Sequence, residues 1–256
     1  MILSKVEFRT HHAAIGLGLI FVGISACAEA PSEPDIVISS RDFVMVPCAE
    51  SVAEPCALAV AGGKRVLFGA PSGADLAFAD EDLTQLDAVM LFSLRAKDIE
   101  GLDTVRNRSW QAGRRAPLLV IGPDGTSLVV DGLNTAFETP DALFIVDEGM
   151  PAGGFDAALL TASDLPLTGG WITAFDTGDF RIEARDLGAG HGHFRLSYQA
   201  EFDLVGSCEV WRTATADVQQ EEVGEPPFGC PGSDVPSWPI DAPIWFVRSG
   251  GDSLLD

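Results

Sequence analysis

The chain has 256 residues, 46% of them apolar, and a formal net charge of −22 from 38 Asp and Glu against 16 Lys and Arg. That length allows one domain of ordinary size with at most a small appendage. A field of this sign opposes phosphate backbones, so no nucleic-acid partner is expected, and a solvated, aggregation-resistant surface is the ordinary use of so much acid.

Lys5 and Arg9 precede an apolar run from Ala13 to Ala26, whose fourteen residues are too few to span a bilayer comfortably. Charged front, apolar centre and small-residue site are the parts of a secretion signal. Ile24-Ser25-Ala26-Cys27 resembles a bacterial lipobox, in which the cysteine is diacylated on sulfur and becomes the first residue of the mature chain. An ordinary signal with an incidental cysteine is the alternative. The lipobox implies a signal over 1–26; a short acidic tether over 27–34, a main domain over 35–216 and a Pro/Gly-rich extension over 217–256 follow in the chain. It also implies a chain anchored in a membrane through Cys27, in the bacterial cell envelope and facing the periplasm. Ala28 at the next position points to the outer membrane. Removing Lys5, Glu7 and Arg9 with the signal leaves 230 residues with 14 basic and 37 acidic side chains, a net −23.

Four cysteines then remain, Cys48, Cys56, Cys208 and Cys230. In an oxidising compartment an even number suggests two disulfides, in one of three connectivities, and sequence neighbours give the simplest pairs, Cys48 with Cys56 and Cys208 with Cys230. A zinc site of four thiolates is the rival, but the chain has no C-x-x-C pair.

In chain order, Asp35 to Ser39 and Phe43 to Val46 suggest a first strand or hairpin, and residues 48–56 a loop pinned by its own disulfide. Ala57 to Val60 and Val66 to Phe68 flank Gly62-Gly63, a hairpin signal. Asp75 to Leu86 suits a short acidic helix; its carboxylates lack the spacing and central glycine of a calcium loop. Ala88 to Phe92 is a buried strand. Ile99, Leu102, Val105 and Trp110 then give an apolar helical face, with Arg106, Arg108, Arg114 and Arg115 holding much of the scarce positive charge. Those arginines either balance neighbouring carboxylates, the ordinary reading, or bind an anion. Pro117 to Ile121 is a second buried strand, Thr126 to Phe137 a helix, and Ala142 to Val146 another strand. Trp171 to Phe175, Phe180 to Ala184, Phe194 to Tyr198 and Phe202 to Val205 read as short strands between glycine-containing turns. Six prolines from Pro226 to Pro243 exclude a long regular element from the extension, although Pro243 to Arg248 suits a docked terminal strand.

The stretch Leu86 to Thr126, LDAVMLFSLRAKDIEGLDTVRNRSWQAGRRAPLLVIGPDGT, resembles the metallo-β-lactamase fold superfamily, in its branch of ribonuclease Z-like nucleases, phosphodiesterases and arylsulfatase-like hydrolases. In that branch an Asp-Ala-Val-Leu-Leu strand leads to Thr-His-x-His-x-Asp-His, then Gly-Leu, a helix, and a Gly-Pro-x-Gly-Thr turn. The resemblance implies an α/β, αββα layered sandwich with a β-rich second half. It does not bring the metal ligands. Ser93 and Arg95 stand at the first two histidines, Lys97 at the metal-binding aspartate and Asp98 at the last histidine. Further along, the same resemblance puts Leu187 at the third histidine and Ser207 at the bridging aspartate. Of four histidines, His11 and His12 lie in the signal, so only His191 and His193 remain where a binuclear zinc site asks for about four or five. In an extended segment those two rings point the same way, which makes them weak metal candidates with Asp186 or Glu183.

No nucleophile elbow or phosphate loop is present, and Ser93 with Lys97 has the wrong spacing for a serine–lysine pair. The expectation is an exported lipoprotein with a hydrolase-like fold, no cofactor and no catalytic residue, in a binding or structural role toward a protein or a small anionic ligand. Two other readings stand beside it: a hydrolase of an anionic ester using Arg95 and Lys97 in the same cleft, and an unrelated secreted β-rich domain.

Overall fold

A computed structural model describes residues 41–48, 52, 54–186 and 191–199, and the backbone of the strands Glu201–Gly206 and Trp245–Arg248. The first strands are β1 (Phe43–Pro47), β2 (Ala57–Ala61) and β3 (Lys64–Phe68), an antiparallel meander. Gly62 and Gly63 close the β2–β3 hairpin with φ of 58° and 74°, values that favour glycine at both turn positions. Cys48 and Cys56 form the expected disulfide between β1 and β2, with Cα atoms 5.3 Å apart. Cys27, Cys208, Cys230, Leu187, Ser207 and the strand expected over Asp35 to Ser39 lie outside the described residues.

The chain then alternates helix and strand: α1 (Asp80–Thr84), β4 (Ala88–Met90), α2 (Ala96–Ile99), α3 (Leu102–Gln111), β5 (Leu118–Pro123), α4 (Thr126–Glu148) and β6 (Leu160–Leu165). β3, β4, β5 and β6 run parallel. Gly101 separates α2 from α3 because a Cβ there would meet the Pro71 carbonyl oxygen at 2.1 Å, while its N–H donates to Ala70 O at 2.9 Å. A second sheet follows: β7 (Ile172–Asp176), β8 (Phe180–Asp186), β9 (Gly192–Tyr198) and β10 (Glu201–Gly206), all antiparallel. From the extension, β11 (Trp245–Arg248) pairs antiparallel with β1, the docked terminal strand anticipated there. The orders are β11-β1-β2-β3-β4-β5-β6 and β10-β9-β8-β7.

Two apolar layers hold this together. Phe43, Met45, Val66, Phe68 and Met90 from the first sheet meet Phe180, Ile182, Phe194 and Leu196 from the second. Phe194 stacks edge-on to Phe68 at 5.4 Å and tilted to Phe92 at 5.6 Å, so one ring ties both sheets. On the other face of the first sheet, Leu58, Leu67, Val89, Leu118 and Val120 pack against Leu83, Leu102, Val105 and Val130 of the helices. Each large apolar side chain so buried is worth about 1.5–3 kcal/mol. Helices, mixed sheet and antiparallel sheet are the α/β layers expected from the sequence.

One element differs. Ala142 to Val146 is not a strand but the last turns of α4, which runs on through Pro140. Pro140 and Ala136 both face solvent, so the carbonyl that loses its N–H partner at the proline is open to water. Beyond the proline, Asp141 is held by Arg106 and Phe144 lies 5.5 Å from Trp110, so tertiary contacts carry the helix past the point where local propensity ends it.

Candidate functional site

The candidate site lies where the parallel strands end. Past β4 the chain continues as Leu91 and Phe92, and Leu91 N–H donates to Ile121 O at 2.8 Å. The Phe92 carbonyl then accepts the N–H of Gly192 at 2.6 Å. That bond ties the segment after β4 to the start of β9 and sets it against the loop from Ser93.

Ser93 and Asp98 are both buried at 3% exposure, and the Ser93 hydroxyl donates to the Asp98 carboxylate. Ser93 Oγ also accepts the backbone N–H of Arg95 at 3.1 Å, and Asp98 N–H donates to Arg95 O at 2.9 Å. The segment closes on itself as a compact turn into α2. Lys97 leans the other way and donates to Glu54, in the disulfide loop, at 3.1 Å. Lys97 is thus ion-paired with Glu54, and the Ser93 hydroxyl satisfies Asp98. Arg95 is exposed.

His191 is buried beside this turn. Its pKa lies below the ordinary imidazole value, first through burial and then through the charge of Arg95, with Asp98 opposing, Lys97 lowering it further and Asp186 opposing again. Ser93, Arg95, Lys97, Asp98, His191 and Asp186 thus occupy one neighbourhood, although Ser93 and His191 are almost a hundred residues apart in sequence. A cleft of about 330 Å³ opens next to them, lined by Leu94, Pro123, Asp124, Leu165, Leu167 and Asp186. Asp164, next to Leu165 in β6, takes hydrogen bonds from the Ser127 hydroxyl at 2.7 Å and backbone N–H at 2.8 Å, which hold its carboxyl below the usual range and fix the first turn of α4.

His193 sits elsewhere. It is 3% exposed, on the face of β9 opposite the core, with its ring 6.2 Å from that of Trp171. Burial, with Arg185 adding to it, pushes its pKa down to about 4. Glu183 is occupied by Arg195, which donates Nε at 2.9 Å and Nη2 at 2.5 Å to one carboxylate oxygen. Three arginines in and just after α3 are structural: Arg106 binds Asp141, Arg108 binds Asp80, and Arg114 donates to Ser109 and to the Ala116 carbonyl. For these three that favours charge balance and packing over anion binding, while Arg115 is exposed.

The metal centre implied by the resemblance needs clustered imidazole and carboxylate donors. Here a serine, two cations and a serine-bound carboxylate fill the expected positions, and among the described residues no group of three or more His, Cys, Asp or Glu is arranged to hold a metal ion. The donor set does not fit a binuclear zinc centre.

Sequence reading missed the pairing of Glu54 with Lys97 and the stacking of Arg185 and Arg195 on Trp171 at 4.5 and 4.6 Å. The second had a signal. Period-two alternation in FRIEARD and HFRLSY puts Arg185, His193 and Arg195 on one face of neighbouring strands.

The layer order and the parallel strand–helix units are those of the α/β layered sandwich that the resemblance implied. No protein-family model and no curated protein matches the chain. Solved structures similar to it include the metallo-β-lactamase fold protein YhfI from Bacillus subtilis, at 16% identity and a TM-score of 0.45 over 64% of this chain and 61% of that one. The short form of human tRNase Z is similar at 10% identity and 0.45, over 64% and 67%. A diphosphatase of the PhnP family is similar at 16% identity and 0.36, over 56% and 49%. The chain spans less than two thirds of YhfI and about half of that diphosphatase. These are likenesses of fold, and the chemistry of those proteins is theirs.

Proposed function

We propose that this chain is an exported lipoprotein, anchored through Cys27 in the bacterial envelope, whose hydrolase-like domain binds a small anionic ligand without hydrolysing it. The observation that carries the reading is the closed Ser93–Asp98 pair at the expected ligand positions. A buried carboxylate that takes its hydrogen bond from a serine hydroxyl needs no metal to be satisfied. Arg95 and Lys97 then supply positive charge beside the cleft in a chain of net −22, which attracts an anion and discourages a divalent cation. The test uses the full-length protein in detergent. Metal analysis is expected to find zinc below one equivalent, and calorimetry with small phosphate, sulfate and carboxylate esters is expected to give binding that weakens in Arg95→Gln and Lys97→Gln. Stoichiometric zinc, or equal affinity in both variants, overturns the reading.

A second reading, an ester hydrolase in the same cleft, is favoured by one observation: His191 is kept neutral beside Asp98 and Asp186, as a general base must be. Turnover of those esters that is lost in His191→Gln selects it over the first.

A further inference from the structure

A second cavity, of about 290 Å³, lies between α4 and the segment that leads into β6, and none of its lining residues lines the cleft. Asn134, Glu138 and Asp141 follow one another at i, i+4 and i+7 on one face of α4, with Thr135 beside them, and Phe155 and Leu159 form the opposite wall. The walls are fixed by hydrogen bonds. Asn134 donates Nδ2 to Leu160 O at 2.9 Å and accepts the Leu160 N–H at 2.9 Å, which ties α4 to the start of β6. Next to Phe155, the Gly154 carbonyl accepts the Trp110 Nε1 proton at 2.9 Å, and Ala158 N–H donates to Phe155 O at 2.9 Å.

The polar groups left over in the cavity are acceptors. Asp141 is buried and bound through both oxygens by Arg106, so its charge is answered. The Glu138 carboxylate is exposed and makes no hydrogen bond or ion pair among the described residues. Arg106 and Arg114 are both buried, and neither lines the cavity. The Thr135 hydroxyl gives its proton to Asp131 O at 2.8 Å and is left to accept. Acceptors with one unanswered negative charge select a cation that carries N–H donors. A bare metal ion finds too little here, because Asp141 is committed to Arg106 and the Asn134 oxygen to a backbone N–H, which leaves one carboxylate where calcium takes about six to eight oxygens. The opposite wall decides what the cation is attached to. Phe155 keeps 38% of its surface in solvent and Leu159 is half-buried, so a short carbon chain has apolar surface to cover, and the ring face attracts the charged end. A volume at the small end of ligand pockets limits that chain to a few carbons.

We propose that Thr135, Glu138, Phe155 and Leu159 form a binding site for a short primary alkylammonium, its N–H donors on the Glu138 carboxylate and its carbon chain over Phe155 and Leu159. The site is separate from the cleft and stands whether or not the cleft binds a ligand.

The test follows backbone amide resonances of isotopically labelled full-length protein in detergent during titration with n-butylammonium, with n-butanol as its uncharged counterpart and calcium as a bare cation. Saturable movement confined to residues around Glu138 and Phe155 is expected with n-butylammonium, which should bind roughly tenfold or more tightly than n-butanol. Glu138→Gln is expected to weaken n-butylammonium by roughly ten- to a hundredfold, the loss of a charge-assisted hydrogen bond. Phe155→Ala is expected to weaken it several-fold by removing the ring. Both positions are exposed, so neither substitution opens the core. Glu148→Gln, on the same helix but outside the cavity, is expected to change nothing, which separates a site from the general pull of an acidic surface. Shifts that do not saturate, or equal affinity for n-butanol, overturn the proposal, as does unchanged affinity in Glu138→Gln or in Phe155→Ala. An equal loss in Glu148→Gln overturns it too. Calcium that moves the same signals at lower concentration does so in favour of a metal site.

Discussion

Asp141→Ala tests the join that carries α4 past its proline. Arg106 is 0% exposed; it donates Nη1 to Asp141 Oδ1 at 3.0 Å and Nη2 to Oδ2 at 2.5 Å, and its guanidinium lies 4.9 Å from the Phe137 ring. Removing the carboxylate seals a cation in the core. Arg114 is close enough to make this worse: its own pKa is pushed down to about 10, first by burial and then by the charge of Arg106. Breaking one side of a buried pair costs about 3–5 kcal/mol. A domain of this size loses roughly 2–4 °C per kcal/mol, so the thermal midpoint should fall by about 6–20 °C. Calorimetry or circular dichroism on wild type, Asp141→Ala, Arg106→Met and the double variant Arg106→Met/Asp141→Leu measures this. The double variant removes both charges, fills the space with apolar volume, and should recover most of the loss. The reasoning fails if Asp141→Ala stays within about 1 kcal/mol of wild type, or if the double variant is no more stable than the single.

Ser93→Ala removes the buried hydroxyl that satisfies Asp98 and should cost about 1–3 kcal/mol by chemical denaturation, whereas Ser93→Thr, which keeps the donor, should cost less. His193 gives a pH signature: the folded state holds it neutral down to about 4, while the unfolded chain takes up the proton near 6.5. Its contribution is therefore complete above the unfolded value and is lost as pH falls through the folded one. Wild type should lose roughly 3 kcal/mol more than His193→Phe across that window, and parallel pH profiles would refute the assignment. Cys48→Ser with Cys56→Ser opens the loop that carries Glu54 and should lower stability by about 2–3 kcal/mol, with a matching loss in wild type under reducing conditions.

The frame of the fold was legible because its signals are local. Apolar runs at Ala88–Met90 and Leu118–Pro123, the double glycine at Gly62-Gly63 and the alternation in β8 and β9 each report a strand through its own residues. Ala142 to Val146 misled for the opposite reason. An isolated apolar run after a proline fits a strand as well as a helix, and what decides it, the Arg106–Asp141 pair and the contact of Trp110 with Phe144, crosses more than thirty residues of sequence. At the site the sequence placed Ser93, Arg95, Lys97 and Asp98 together, as the structure does. It could not show that Lys97 turns to Glu54, because that carboxylate arrives on a loop fixed by a disulfide.

The distribution of cations is where fold and function meet. With 16 Lys and Arg against 38 acids, each positive charge has many carboxylates to answer, and the ones answered in the interior are lost to any ligand. Arg106 is held in this way by Asp141 of α4, and Arg114 is held inside by Ser109 and the Ala116 carbonyl. Lys97 and Arg195 are also paired, with Glu54 and Glu183, but each keeps 37% of its side chain in solvent. A partnered cation at the surface still has donors to offer, and an exposed ion pair holds it only weakly. The bond from Gly192 N–H to Phe92 O fixes the Ser93 turn, with Arg95 and Lys97, beside the start of β9, the strand that carries His193 and Arg195. The frame therefore presents Arg95, Lys97 and Arg195 at fixed positions around the start of that strand. Recognition of an anion asks for that placement, and hydrolysis asks for more.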